Sequence, residues 1–185
     1  MSILTREQIL AKAQAGESLA GLDLRNADLS YALLKGVDFT GADLRDAHLQ
    51  NANLEGAQLE NAELARAFMF GTNLRGAKLD GAHGEDVNLQ DSNLDGVSAR
   101  NVDLRHIALL GSTLENGDFS GAKLKNARLK RASLRGAKFD DADLENAHLV
   151  RSDLTNASFK RANLIGAVLT NAILDGACFD EARGV

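Results

Sequence analysis

ANLEGAQLENAELARAFMFG, residues 52–71, contains the pattern that decides the fold of this chain. It divides into four five-residue words, each with a small residue first and a large apolar residue third. The third-position series has 33 members, one at every fifth position from Leu19 to Phe179 without insertion. All of them are Leu, Phe or Met except Gly84 and Ala99. A fixed internal period of this kind indicates a repeat architecture.

The period of five fits neither a helix, which repeats at about 3.6 residues, nor a strand, which repeats at 2. The first-position series, from Leu22 to Ala177, has 32 members, of which 21 are Ala and none is charged. Gly or Asn usually stands two residues after the large apolar residue, and both tolerate positive φ. The sequence therefore predicts short strands joined by corners, with both apolar series facing inward.

The phenylalanines of the large series indicate how many corners close one turn. They are separated by multiples of 20 residues: Phe39, Phe119, Phe139, Phe159 and Phe179. One turn therefore takes four words and has four walls, and we expect these rings to stack in one column.

Words such as ADLSY, ADLRD, ANLEG, ADLEN and ANLIG resemble the A(D/N)LXX word of the pentapeptide-repeat proteins, over about residues 17–182. The resemblance implies an all-β fold, a right-handed quadrilateral (four-sided) parallel β-helix solenoid of about eight 20-residue coils. We expect an N-terminal capping helix within 1–16, the β-helix over 17–182 and a C-terminal tail at 183–185.

The N-terminal cap is predicted from a capping box. Thr5 and Gln8 have the required spacing, Ile9 lies on an apolar helical stripe, and Gly16 suits a C-terminal stop, so we expect a helix at about 5–15 over the first coil.

The C-terminal end has no comparable helix, and outward positions become apolar there, at Ile165, Val168 and Ile173. We expect these residues to mediate self-association, giving a homodimer through the C-terminal end. A short tail folded over the last coil is the alternative.

Gly84 and Ala99 remove two large side chains from one coil. Cavities of this kind are costly unless neighbours fill them, and Val87 and Val97 enlarge the usually small series nearby. We expect a complete but slightly distorted coil near 81–100; a functional kink is the alternative.

Composition bounds the function. The net charge is −5, which argues against direct nucleic-acid binding, and the single cysteine, Cys178, cannot form an intramolecular disulfide. The chain shows neither a secretory apolar region nor a stretch long enough for a membrane helix, so we expect a cytoplasmic protein without membrane contact.

No catalytic, cofactor or metal constellation is evident, and we expect a protein without enzymatic activity. The four histidines lack the spacing of a zinc site, and Asp143 and Glu145, which flank Leu144, are expected to be solvated charges.

Two surface features are candidate interaction sites. Phe68 and Phe70 flank the inward Met69 and should face solvent, with Leu110 two coils higher on the same wall, so we predict partner binding there. The alternative is that the rings lie flat on the wall or under the N-terminal helix. The second feature is a charged belt, which ordinary surface variation explains equally well: Lys123, Lys125, Arg128, Lys130, Arg131, Arg135 and Lys138.

The function predicted is a rigid protein-interaction scaffold with an unknown protein partner. The resemblance implies an alternative, because some pentapeptide-repeat proteins mimic duplex DNA and bind DNA gyrase, conferring fluoroquinolone resistance. The Ala/Leu-rich word, the absence of insertions and of a C-terminal helix, and the basic coil at 121–140 count against that alternative.

Overall fold

The computed structural model describes residues 4–185, which form one helix followed by a four-sided parallel β-helix. Helix α1 spans Arg6–Gln14. Each strand is reduced to a single bridging residue, which recurs at every fifth position from Asp23 to Arg183.

Every bridge is parallel and joins residues 20 positions apart, as in Asp23 with Asp43 and Asp43 with Glu63. Backbone bonds run both ways between coils: the N–H of Leu24 donates to Asp43 O at 2.8 Å, and that of Asp43 donates to Leu22 O at 2.9 Å. The 20-residue, four-walled coil predicted from the sequence is confirmed. At about 4.8 Å per coil the solenoid is about 40 Å long.

The corners lie two residues after each large inward residue, such as Asn26 after Leu24. Positive φ occurs at every fifth residue from Gly16 to Glu181. At the first Asn corner, Asn26 has φ 57°, and the N–H of Ala27 donates to Leu24 O at 3.1 Å. A positive φ at the third residue is what a type II turn requires, and it explains the frequent Gly and Asn there.

The core is a set of apolar columns parallel to the solenoid axis. The rings of Phe119, Phe139, Phe159 and Phe179 stack with successive centroids 5.1 to 5.2 Å apart and planes within 9° of parallel. Phe39 is buried in the same column, and Leu59, Leu79 and Ala99 lie between it and Phe119. The predicted phenylalanine column is confirmed.

The coil that contains Gly84 and Ala99 is complete, with regular bridges at His83 and Ser98. A Cβ on Gly84 would stand 2.8 Å from Leu104 Cδ2 and 3.1 Å from Val87 Cγ2, so neighbouring side chains already occupy that space. The expected compensation is therefore present.

Helix α1 covers the first coil. Its capping box is confirmed, because Thr5 Oγ1 accepts from the N–H of Gln8 and Gln8 Oε1 accepts from the N–H of Thr5. Ile9 is 1% exposed and joins the core. Gly16 follows the helix with φ 73°.

Arg6 takes the place of a missing coil below the first one. Its Nη1 donates to Asp28 O at 2.5 Å and its Nη2 to Ser30 O at 2.7 Å. One coil higher, the equivalent carbonyls of His48 and Gln50 accept backbone N–H groups from the coil beneath. The guanidinium therefore satisfies acceptors that the solenoid leaves open at its start.

The C-terminal end is covered on one side only. Arg183 pairs with Asn163, and Gly184 lies against the backbone of Ile165. The inward Leu174 is 43% exposed, and Leu169 and Phe179 are only partly buried. The last coil thus presents an open apolar end.

No helix within residues 4–185 has the length and apolar character needed to cross a membrane.

Candidate functional site

The four walls are designated faces 1 to 4. Their inward residues recur every 20 positions from Leu24 on face 1, Leu29 on face 2, Leu34 on face 3 and Leu19 on face 4. The two residues that flank each inward residue point outward, so each face carries two outward rows.

Face 2 differs from the other three in charge. From coil to coil its outward residues are Asp28, Ser30, His48, Gln50, Phe68, Phe70, Asn88, Gln90, Ala108, Leu110, Arg128, Lys130, His148, Val150, Val168 and Thr170. Asp28 is its single acidic residue and is paired with Arg6, whereas each other face carries at least five acidic residues. In a chain of net charge −5, this face is locally basic.

The two phenylalanines that break the repeat lie in the middle of face 2. Phe68 and Phe70 are each 43% exposed. Phe68 stacks on His48 with ring centroids 4.9 Å apart, which holds the ring in place. Helix α1 reaches this face at Asp28 and Ser30, two coils away, so both rings remain accessible to a partner.

A hollow of about 270 Å³ lies above the rings on the same face. Its floor is Ala108, which is only 3% exposed, and its walls include Leu110 and Val150. Arg128 and Lys130 line its rim. The small alanine between longer side chains therefore creates an apolar depression with cations at its edge.

The structure divides the charged belt of residues 121–140 among the faces. Three of its members are ion-paired: Lys123 with Asp103, Lys125 with Glu145 and Arg135 with Asp153. Lys138 lies on face 4. The remaining three, Arg128, Lys130 and Arg131, lie on face 2 and the corner that follows it.

That corner brings two arginines together. Arg131 and Arg151 occupy the same corner row in adjacent coils, with φ 60° and 58°. Two other corner arginines, Arg66 and Arg161, bind the aspartate one coil earlier, at 2.7 Å in each case. Within residues 4–185, Arg131 and Arg151 have no acidic partner within 4.0 Å.

Face 1 shows the opposite arrangement. Arg25 bonds Asp23 at 2.6 Å and lies 3.5 Å from Asp43, which in turn bonds Arg45 at 2.6 Å. The hydrogen bond from the Arg25 guanidinium lowers the pKa of Asp23 to about 2. Acidic and basic side chains therefore neutralise one another along this face.

The residues expected to mediate self-association, Ile165, Val168 and Ile173, are exposed around the last coil. The structure adds Leu174, whose inward position at the open end leaves it partly uncovered. Self-association through these residues stays a prediction.

Sequence reasoning overlooked several surface residues. Tyr31 and Leu33 are exposed near the first coil, and the sequence did not connect Val150 and His148 with the hollow that they line. Reading every twentieth residue down both outward rows of each wall would have shown that face 2 carries a single acidic residue, because column membership follows from the coil length alone.

The other candidate groups form no site. Among the described residues, no three His, Cys, Asp or Glu side chains are placed to hold a metal ion. Asp143 Oδ1 accepts from the N–H of Glu145 and from Asn163 Nδ2, at 3.2 and 2.9 Å. Cys178 is a half-buried free thiol.

Comparison with known proteins identifies the repeat. A family model described as pentapeptide repeats matches with eight copies, at residues 18–46, 42–81, 69–105, 114–149 and 147–183. A comparison with curated proteins gave no significant match.

Solved structures give looser likenesses. HetL, a pentapeptide repeat protein involved in heterocyst differentiation regulation from the cyanobacterium Nostoc sp. strain PCC 7120, is 27% identical over 98% of this chain and 99% of its own, with a TM-score of 0.45. Rfr23 from the cyanobacterium Cyanothece 51142 is 26% identical over 70% and 89%, with a TM-score of 0.26. QnrB1, a plasmid-mediated fluoroquinolone resistance protein, is 16% identical over 81% and 85%, with a TM-score of 0.38. At scores this low, none of these likenesses transfers a function.

Proposed function

Because the chain belongs to the pentapeptide-repeat family, we propose that it is a rigid, non-enzymatic scaffold that binds a protein partner through face 2. The observation that carries the proposal is the composition of that face. It combines accessible aromatic rings with an almost complete lack of acidic residues, while the other three faces are charged and mixed.

The composition of face 2 is typical of a protein contact surface. Aromatic residues and arginine are enriched in the cores of interfaces, and lysine, aspartate and glutamate are depleted there. Phe68 and Phe70 together with Leu110 supply apolar anchors on a wall whose backbone is bonded on both sides. A wall of this kind loses little conformational entropy on binding, since its side chains project from a rigid backbone.

Affinity capture from a lysate of the source organism tests the proposal. The Phe68→Ser, Phe70→Ser double variant should lose a partner that the unaltered protein retains, because truncated aromatic anchors cost about 2 kcal/mol or more of binding energy. The control is Leu33→Ser, which removes an 80% exposed apolar side chain on face 3. Equal recovery of the partner by this variant and by the double variant would refute the proposal.

The gyrase alternative requires a surface that resembles DNA in its continuous negative charge. The acidic rows of face 1 are interrupted by arginines, as Arg25 and Arg45 show, and face 2 is basic. These features favour the scaffold. A gyrase supercoiling assay checks the alternative, and unchanged supercoiling at high micromolar protein is the result we expect.

A further inference from the structure

We propose that the partner segment that docks on face 2 is acidic as well as apolar, and that it lies along the solenoid axis. Its apolar side chains would contact Phe68, Phe70 and the hollow, and its carboxylates would contact the cation cluster, defined as Arg128, Lys130, Arg131 and Arg151. This inference rests on the proposed function and adds the chemical class of the partner.

The cation cluster gathers four basic side chains without carboxylate partners in two adjacent coils. Many other arginines are held by carboxylates, such as Arg100 by Asp80 at 2.6 Å and Arg105 by Asp103 at 2.8 Å. The other basic side chains of residues 4–185 that have no such partner lie on faces 1, 3 and 4: Arg75, Lys78, Lys138, Lys160 and Arg183. In the described chain, no member of the cation cluster has a carboxylate within 4.0 Å. Four like charges in adjacent coils repel one another, and an acidic partner would relieve that repulsion.

The spacing of the two parts fits one extended segment. Phe70 and Lys130 share an outward row and are three coils apart, which at about 4.8 Å per coil is about 14 Å. An extended chain rises about 3.4 Å per residue, so about four residues separate an apolar side chain at the rings from a carboxylate at the cations. Between them the hollow at Ala108 accepts another apolar side chain.

The shape of the hollow favours side chains of a protein over a free small molecule. Sites for small molecules usually bury most of the ligand surface, whereas this hollow of about 270 Å³ is open along the wall. An open hollow suits a segment that continues in both directions.

The distribution of charge disfavours nucleic acid as the occupant. Binding to a phosphate backbone depends on many cations along a continuous path. Here the cations are confined to two adjacent coils, and the neighbouring faces 1 and 3 carry at least five acidic residues each. A short acidic segment uses the cluster without approaching those faces.

Selection from a displayed library of random 12-residue peptides on the whole protein tests the inference, with counter-selection on the Arg128→Glu, Lys130→Glu variant. Enriched peptides should contain apolar residues and at least two Asp or Glu about four residues from them. Binding of a synthetic enriched peptide, measured by fluorescence anisotropy, should weaken about tenfold or more in Arg128→Glu, Lys130→Glu. Phe68→Ser, Phe70→Ser should weaken it to a similar degree.

The matched control is Lys138→Glu with Lys160→Glu, which makes the same charge change at two exposed lysines of face 4. This control should bind the peptide within about twofold of the unaltered protein, since screening limits effects across the solenoid. Melting temperatures of all variants confirm that each is folded.

Four results would overturn the inference: no enriched peptide, enriched peptides without acidic residues, equal loss in the face 4 control, or tighter cluster-dependent binding of a 12-nucleotide single-stranded DNA. Lysate capture separates this inference from the proposed function. If partner capture requires Phe68 and Phe70 but survives Arg128→Glu, Lys130→Glu, the scaffold stands and the acidic class of partner is wrong.

Discussion

The side-chain oxygen of Asn116 lies 2.6 Å from the point at which a Cβ on Gly136 would stand, one coil above it at the same corner. Gly136 therefore has two reasons to be glycine: its φ of 65° and the space that Asn116 occupies. Gly96, in the same corner row and with the same φ of 65°, has nothing within 4 Å of the equivalent point. Comparing Gly96 with Gly136 therefore separates the cost of backbone strain from the cost of crowding between coils.

Gly96→Ala should lower the free energy of unfolding by about 1 to 2 kcal/mol, the cost of a left-handed alanine. Gly136→Ala should cost about 1 kcal/mol more, because the Asn116 side chain must leave its preferred position. Chemical denaturation measures both values, and adding Asn116→Gly should return Gly136→Ala to the cost of Gly96→Ala. Equal costs for the two single variants would show that the Asn–Gly contact between coils has no energetic role.

Arg6 is predicted to protect the first coil on face 2. Removing its guanidinium in Arg6→Ala leaves the carbonyls of Asp28 and Ser30 without their charged donor. Hydrogen exchange at the amides of Leu29 and Tyr31, which bond the second coil, should become about tenfold faster, since a hydrogen bond to a charged group contributes about 1.5 kcal/mol or more. Lys12→Ala, which removes only the exposed pair with Glu17, should leave these rates unchanged.

Acid should destabilise the solenoid within a defined pH range. The hydrogen bonds of Arg25, Arg45 and Arg66 lower the pKa values of Asp23, Asp43 and Asp46, that of Asp23 to about 2. A lowered folded pKa gives stability that is fully present above the unfolded value of about 3.8 and is lost as the pH falls toward the folded value. The melting temperature should therefore be flat from about pH 5 to 7 and fall below about pH 4. Arg25→Gln with Arg45→Gln should flatten the fall, whereas an unaltered acid limb would assign it to other groups.

Self-association through the open C-terminal end stays a prediction that light scattering can decide. The exposed Ile165, Val168 and Ile173 surround an end at which Leu174 is incompletely covered, and burying them against a second copy would remove apolar surface from water. We expect a dimer that Ile165→Asp with Ile173→Asp converts to a monomer. Leu33→Asp, at an 80% exposed position near the other end, should leave the dimer intact. A monomeric unaltered protein at micromolar concentration contradicts the prediction.

The fold could be predicted from sequence because each five-residue word repeats the same physical constraint. Phe119 and Phe139 could be assigned to one column from their 20-residue separation alone, and Thr5 with Gln8 specified the helix start. Side-chain contacts between coils were harder to predict from the sequence. Arg6 lies at the start of helix α1, yet it bonds carbonyls more than 20 residues later in the sequence, and no local sequence pattern indicates that contact.

The site was predictable only in fragments. Phe68 and Phe70 were evident because they break the word, but the basic residues were grouped by their nearness in sequence, as a belt. In the solenoid the relevant neighbours are 20 residues apart, so Arg131 belongs with Arg151, not with Arg135. The same columns separate two lysines of the belt, because Lys125 pairs with Glu145 one coil later, whereas the positions one coil on either side of Lys130 are Leu110 and Val150.

Photocrosslinking in cells of the source organism tests the central claim that face 2 is the docking surface. One coil offers a matched set of outward positions, one on each face: Glu85, Gln90, Asp95 and Arg100. With p-benzoylphenylalanine introduced singly at each position, we predict a partner adduct at position 90 and none at positions 85, 95 and 100. An adduct at any of those three positions, with none at position 90, would contradict the assignment of face 2.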